Sequence, residues 1–344
     1  IMSTNKKLLD AILSHRLGLL RFEGGALNDL LQHWNDYADP ILARLDRYAS
    51  QMQQGKPLTP NQRRSIQKIQ SRLADKTRQT RSKMIEEMEQ RLEEAVSSEY
   101  RLLARSLQAS LPESAQDRLR AAQPASVVQL LGDQWRKRLD QTLFDSQLRL
   151  QASLARALTT GEGMAAAVRR IERQNQDIRM TRSKLTTLVR TEIQTASNMA
   201  AQASYRANVD VVKAVQYLAA LDSRTCMICA PLHNTVYPLT PQGHPGPTLP
   251  QHPRCRCFYV PVTRSFKELG LSRAEAAEMT GKQVKDRSYP AWFNRQSAAQ
   301  QKEILGATRY KLWRSGRVSL EDLAQDGRLL SLGQLQAKSE TVQF

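Results

Sequence analysis

No stretch of 18 apolar residues occurs in this 344-residue chain. Its longest apolar runs are short and interrupted by charge, which excludes a helix built to span a bilayer. No signal peptide is recognisable, and the protein is expected to be soluble and cytosolic at synthesis. Cysteine is scarce, with four residues in all, too few for a disulfide scaffold in a chain of this length. Acidic residues are in deficit, 33 against 51 Lys and Arg. The resulting +18 charge suits a protein held against a polyanion, with nucleic acid the first candidate. Internal repeats are absent, which argues against a solenoid, and there is no low-complexity tail. Gly and Pro are missing from Asn61 to Leu111, so nothing local stops a helix over that whole stretch.

What is present is largely helical periodicity. Leu8, Leu9, Ile12 and Leu13, followed by Leu27, Leu30, Leu31 and Trp34, predict two helices within residues 3–50. After the turn at Gly55-Lys56-Pro57-Leu58-Thr59-Pro60, the residues Ile66, Ile69, Leu73, Thr77, Thr80, Met84, Met88 and Leu92 recur at spacings of three and four. They predict one long helix over about 61–111. Its charge is segregated: residues 56–83 carry nine Lys or Arg against one Asp, and residues 84–99 carry six Glu against one Arg. Two readings stand for this: a solvated face with pairing across a helical bundle, or a surface that faces DNA.

Pro112 and Pro124 bracket a connector. Val128, Leu131, Trp135, Leu139, Leu143, Leu150, Leu154 and Leu158 then mark a further helix, and a shorter one is expected at about 163–175. From Ser183 to about Asn208, the residues Leu185, Leu188, Val189, Ile193, Ala196, Ala200, Ala203 and Ala207 form a narrow stripe suited to close packing. Segments 209–219, 235–239 and 257–262 are β-branched and aromatic enough to be strands, separated by Pro- and Gly-rich loops. Residues 264–317, with twelve Lys or Arg against five acids, are expected to be helical and basic. The fold class expected is mainly α: long N-terminal helices, a small α+β cysteine-rich zinc-binding module, and a basic helical C-terminal tail.

All four cysteines fall between positions 226 and 257, which makes them a site. Cys226-Met227-Ile228-Cys229 is a C-x2-C knuckle. The run His252-Pro253-Arg254-Cys255-Arg256-Cys257 begins 23 residues after Cys229. Two such half-sites can close one tetrahedron around a zinc ion, whose charge lowers the thiol pKa values until the sulfurs are deprotonated. Cys255 and Cys257 would complete a four-cysteine site, and His252 with one of them a three-cysteine, one-histidine site. His233 and His244 are weaker candidates. The loop between the half-sites, with prolines at 231, 238, 241, 245, 247 and 250, is expected to build no core of its own and to need a metal to fix it. The rival readings are free thiols in an apolar core, two disulfides, or a nuclease in which His252 is a general base beside the metal. Arg224, Arg254 and Arg256 could meet phosphate bidentately or pair with local carboxylates such as Asp222.

Several of these pieces occur in a specific order. Arg190-Thr191-Glu192-Ile193 and Asn198 are followed by Tyr217-Leu218-Ala219-Ala220-Leu221-Asp222-Ser223-Arg224-Thr225 leading into the knuckle, and then by the His252–Cys257 run. In this the segment from Gly161 to Val262 resembles the phage Mu F-like head morphogenesis family, the minor head or minor capsid proteins. Tyr289-Pro290-Ala291-Trp292, Ile304-Leu305-Gly306-Ala307-Thr308-Arg309 and Arg314-Ser315-Gly316 are similar to the tails of some Mu-like members. Where the family carries Leu-x-Gly after the knuckle, this chain has Leu232-His233-Asn234, and Asn tolerates the left-handed backbone that such a turn needs.

The resemblance implies a non-enzymatic virion component at the portal vertex and capsid interior, present in host cytoplasm during assembly. Its partners would be the portal protein, capsid or scaffolding proteins and double-stranded DNA held non-specifically, with no membrane, and its roles head assembly and DNA packaging or ejection. The alternative is a metal-dependent nuclease or injected effector using the Cys/His module. The domains expected are residues 1–120, helical; 121–265, the Mu F-like domain with its module at 222–262; and 266–344, the basic helical region. The site residues carried forward are Cys226, Cys229, His252, Cys255 and Cys257 for metal, and Arg190, Arg224, Arg254 and Arg256 for nucleic acid or a partner. Arg190 and Glu192 could equally lie on an ordinary exposed helix face.

Overall fold

A computed structural model describes residues 6–54, 56–111, 113–121, 130–159, 164–220, 225–265, 268–269, 293–294, 297–325 and 328–335. It is mainly helical with a small three-stranded antiparallel sheet. The helices are α1 (Lys6–Gln53), α2 (Pro60–Ala109), the short α3 (Glu113–Gln116), α4 (Gln134–Thr159) and α5 (Met164–Ala207). Strands β1 (Val212–Leu218), β2 (Val236–Pro238) and β3 (Phe258–Thr263) follow. The tail contributes α6 (Ala298–Leu305), α7 (Ala307–Arg314) and a two-residue-per-strand hairpin, β4 (Ala324–Gln325) with β5 (Arg328–Leu329).

Two helices expected as pairs are single. In α1 the buried positions Leu8, Ile12, Arg16, Leu19, Glu23, Ala26, Leu27, Leu30, Trp34, Tyr37, Ala38 and Ile41 keep three- and four-residue spacing straight through Gly24-Gly25 and Pro40. A glycine costs a helix interior about 1 kcal/mol and a proline about 3, and burial of that unbroken stripe outweighs them at roughly 25 cal/mol per Å². In α5 nothing between Met164 and Ala207 is Gly or Pro, and the helix runs on through residues 176–182. The predicted long helix is α2, and its stripe is inside: Ile66, Leu73, Thr77, Met84, Met88 and Leu92 are all buried.

The chain divides into two compact units. One comprises residues 16–98 and 125–197. Its cross-helix bonds give its topology. Asp29 pairs with Arg91 at 2.7 Å and Tyr37 with Thr77 at 2.9 Å, which sets α1 antiparallel to α2. Arg81 meets Asp140, and Glu89 meets Arg136 at 2.7 Å, setting α2 antiparallel to α4. Arg138 pairs with Glu192 and Asp145 with Lys184 at 3.8 Å, setting α4 antiparallel to α5. Asp39 with Arg182 at 2.6 Å, and Glu23 with Gln194, close the ring from α5 back to α1. The unit is therefore an up-down-up-down four-helix bundle, cored by Trp34, Trp135, Leu139, Leu185 and Ile193 among others.

The other unit comprises residues 1–15, 99–124 and 198–344. Its sheet has the order β2-β1-β3, with Val215 opposite Tyr237 on one side and Pro261 on the other. Leu8, Ile12, Leu103, Leu107, Ala201 and Tyr205 pack in one cluster with Val212, Val215, Tyr217, Tyr259, Val260 and three of the cysteines. The tail is more than a basic extension. Phe293, Leu305, Val318, Leu320, Leu323, Leu330 and Leu335 make a second small core that takes in Met227 and Ala230 of the knuckle. Of the helix expected over 264–317, most of the segment before residue 293 lies outside the described residues, as does the Tyr289–Trp292 motif.

Candidate metal centre

The knuckle lies in the connection from β1 to β2. The Cys226 carbonyl accepts from the amides of Cys229 at 3.1 Å and Ala230 at 3.0 Å, closing a tight turn that aims both sulfurs the same way. A short 3-10 turn, Ala230–Leu232, follows, and Asn234 then stands at φ +69°. Asn supplies here the left-handed turn that its sequence position suggests, and its amide returns to the Tyr217 carbonyl at 2.8 Å. The second half-site immediately precedes β3. The Cys255 amide bonds the His252 carbonyl at 3.1 Å, and Arg254 between them takes φ +61°. An arginine in that region costs on the order of 1–2 kcal/mol, and the turn it allows brings His252 and Cys255 to one side.

The structure brings all five predicted donors together. Cys226, Cys229 and His252 form one group, and Cys229, Cys255 and Cys257 another, each with its ligand atoms within 4.8 Å of one another. The His252 Nε2 lies 3.1 Å from the Cys226 sulfur and 3.5 Å from the Cys229 sulfur, and the Cys229 and Cys255 sulfurs are 3.9 Å apart. Zn–S bonds of about 2.3 Å and Zn–N bonds of about 2.0 Å in a tetrahedron imply edges of about 3.5–3.8 Å. The spacing within each group therefore fits donors around an ion. It does not fit disulfides: an S–S bond is about 2.05 Å, and all four cysteines are free. Cys229, Cys255 and Cys257 are buried, while Cys226 and His252 are half-buried and form the side by which an ion can enter.

The electrostatics of the donors suit a cation placed among them. The hydrogen bond from Cys229, then that from His252, holds the Cys226 thiol down at about 4, and Cys255 is likewise pushed low by Cys229 and Cys257. Cys229, hemmed in by the other sulfurs, is pushed far up. Cys257 stands at about 12, pulled down by Cys229 but pushed up more by Cys255 and by burial. Bonds to Cys226 and Cys255 raise the His252 imidazole to about 11. So many anion-forming groups with a single imidazolium among them cannot all ionise; a divalent cation removes that conflict.

Residues not assigned to the metal site from sequence support the cluster. Gln251 Nε2 donates to the Tyr217 hydroxyl at 2.9 Å and approaches the Cys229 sulfur at 3.8 Å, while Asn198 Nδ2 donates to the Cys257 carbonyl at 3.3 Å. His252 Nδ1 faces the Pro253 carbonyl at 2.9 Å, the kind of outer bond that fixes a ligand imidazole. Position next to the His252 run was the one hint that pointed to Gln251.

The weaker histidine candidates have other work. His233 Nδ1 accepts from the Ala219 amide at 3.1 Å. His244 Nδ1 accepts from the Gly246 amide at 3.1 Å, its ring meets Tyr259 edge-on at 4.4 Å, and burial lowers its pKa, keeping it neutral. The proline-rich loop builds no separate core, but it packs onto that of the sheet. Tyr237, His244 and Tyr259 form an aromatic cluster, Leu249 is 2% exposed, and the Tyr259 hydroxyl donates to the Pro247 carbonyl at 2.8 Å.

Gly246 sits against this cluster, where an added Cβ would meet Tyr237 Cδ2 and Tyr259 Oη at 2.7 Å. Gly246→Ala is expected to lower stability by about 1–3 kcal/mol through overpacking. An unchanged denaturation midpoint would refute the close packing.

Of the arginine candidates, Arg254 is exposed and Arg256 half-buried beside the donors, and Arg190 is half-buried in the four-helix unit. Arg224 and Asp222 lie outside the described residues. Glu192 is not on an exposed face. It is buried at 3% exposure, and burial pushes its carboxyl above the usual range while Arg138 pulls it partly back.

Residues 149–260 match the family described as Phage Mu protein F like protein. The matched segment runs from the end of α4 through α5 and the knuckle into β3, so it includes all five donors. Nothing matches the chain among curated proteins, nor among solved structures.

Proposed function

We propose, taking residues 149–260 as a Phage Mu protein F like segment, that this chain is a phage head morphogenesis protein that acts as a structural minor head component. In this reading it sits at the portal vertex against packaged DNA, contributes to head assembly and to packaging or ejection, and catalyses no reaction. The observation that carries it is the family match over the segment that also holds the metal-ligand cluster. The +18 charge adds to it, since phosphate neutralisation supplies most non-specific DNA affinity. No helix among the described residues is long and apolar enough to cross a membrane, which accords with partners inside a capsid.

The metal in this reading is a structural Zn2+. Thiolates and imidazole suit zinc above harder ions, and Cys226, Cys229 and His252 with Cys255 or Cys257 would hold it. When bound it would supply a fixed cross-link between the β1–β2 connection and the start of β3. A structural role is favoured over a nuclease because both ring nitrogens of His252 are directed at protein atoms, the sulfurs on one side and a carbonyl on the other. Quantitative mass spectrometry of purified heads and tailed virions should find the protein in both at low copy. Its absence from both would end this assignment. Plasmid DNA should remain uncut with Mg, Mn or Zn, and metal-dependent cleavage abolished by His252→Ala would establish the enzymatic alternative instead.

A further inference from the structure

In α2 the two charged halves are used differently. In the C-terminal half three of the six carboxylates are held by arginines of the bundle: Arg91 holds Glu87 and Glu94, at 2.9 and 3.0 Å, and Arg136 holds Glu89. In the N-terminal half, Arg64, Lys68, Arg72, Lys76 and Lys83 are all exposed, and no ion pair among the described residues engages them. Asp75, the one acid of that half, is turned to Arg78 at 3.7 Å. Ile66, Leu73, Thr77 and Met84 point the opposite way, into the bundle. The steps of four residues from Arg64 to Lys76 place successive cations about 6 Å apart on the solvent side, a ridge about 18 Å long that Lys83 extends by about 10 Å.

We infer that this ridge is the surface on which the protein binds the phosphate backbone of double-stranded DNA, without sequence preference. The inference rests on the proposed DNA-associated role and locates it. A duplex presents about ten phosphates over 18 Å of its axis, enough for every cation of the ridge to find one. The ridge lacks aromatic side chains for stacking on bases, and its interspersed residues Gln67, Ser71, Gln79 and Ser82 are small or uncharged. Contacts to backbone phosphate, which carry no sequence information, are what such a surface can make. It holds five cations that bundle pairing leaves unused, which favours the DNA-facing reading of the charge segregation.

The test uses the full chain and a fluorescent mixed-sequence DNA duplex, with affinity read by anisotropy across a range of salt. The ridge variant is Arg64→Gln, Lys68→Gln, Arg72→Gln and Lys76→Gln together. The matched control neutralises four exposed cations of the tail, Lys302→Gln, Lys311→Gln, Arg314→Gln and Arg317→Gln. At about 0.9 per contact, the ridge variant should lower the slope of log K against log salt by about 3.6, and the control by less than about 1. Arg72→Gln alone should lower it by about 0.9, which keeps the test open if the fourfold variant folds poorly. Equal falls in both variants would overturn the ridge while leaving DNA binding intact. A wild-type chain that binds no duplex would remove the DNA-associated role and the ridge with it. A ridge variant that keeps its salt slope but no longer enters heads would overturn the DNA assignment in favour of an acidic protein partner.

Discussion

Protein purified under reducing, chelator-free conditions is expected to carry about one zinc per chain, and Cys229→Ser is expected to abolish it. Cys229 is the donor shared by both groups of ligand atoms, so its loss leaves neither group complete. A structural zinc site is worth on the order of 10 kcal/mol, comparable with the whole stability of many domains. The variant should therefore lose order at the two half-sites, around residues 226–229 and 252–257, seen as rapid proteolysis there. The long helices, which have their own buried stripes, should keep their far-ultraviolet circular dichroism.

Five donors compete for four positions, and the single variants separate them. Cys255→Ser and Cys257→Ser should differ, with zinc content retained in the variant whose sulfur is not a ligand. His252→Ala tests the imidazole in the same way. Aromatic packing around His244 and Tyr259 should leave the loop partly folded without metal, which a loop without such packing could not do. Elemental analysis that finds no metal in any such preparation would sink the zinc site.

Trp135→Ala should be the most damaging single change in the four-helix unit, costing about 3–5 kcal/mol. The indole is 0% exposed at the first turn of α4, and truncating it leaves a cavity that rigid neighbouring helices cannot fill. Trp135→Phe should cost far less, within about 1 kcal/mol. The Trp135 ring nitrogen is buried with no hydrogen-bond partner among the described residues. An unpaired buried donor of that kind costs about 1–3 kcal/mol, so removing it offsets the smaller ring. Urea denaturation followed by circular dichroism gives both numbers. If alanine and phenylalanine shift the midpoint equally, packing at Trp135 does not hold the bundle together.

The metal cluster was legible because ligand spacing is a local property. Two sulfurs three residues apart in a turn can face one ion whatever the rest of the chain does, and the five predicted donors indeed converge. Gln251 and Tyr217 were not legible as a pair, since 34 residues separate them and their contact exists only once β1 and the His252 run are neighbours. The Asn234 turn was legible from backbone preference alone. The burial of Glu192 was not legible because its sequence neighbours, Arg190 and Thr191, say nothing about Arg138, which meets it from another helix. The small core linking the tail to Met227 and Ala230 left no periodic trace at all.

By itself the sequence determined where helix is possible and which side of it is apolar. Periodicity and the absence of Gly and Pro constrain the chain within a few residues, and α2 came out nearly as predicted. Only tertiary structure decided that α1 runs unbroken through Gly24-Gly25 and Pro40, and that α1, α2, α4 and α5 close into a ring. Those outcomes depend on contacts such as Asp39 with Arg182, 143 residues apart. Local preferences of about 1–3 kcal/mol yield where a continuous buried face supplies more, and no pattern within one segment reveals which distant segment will supply it.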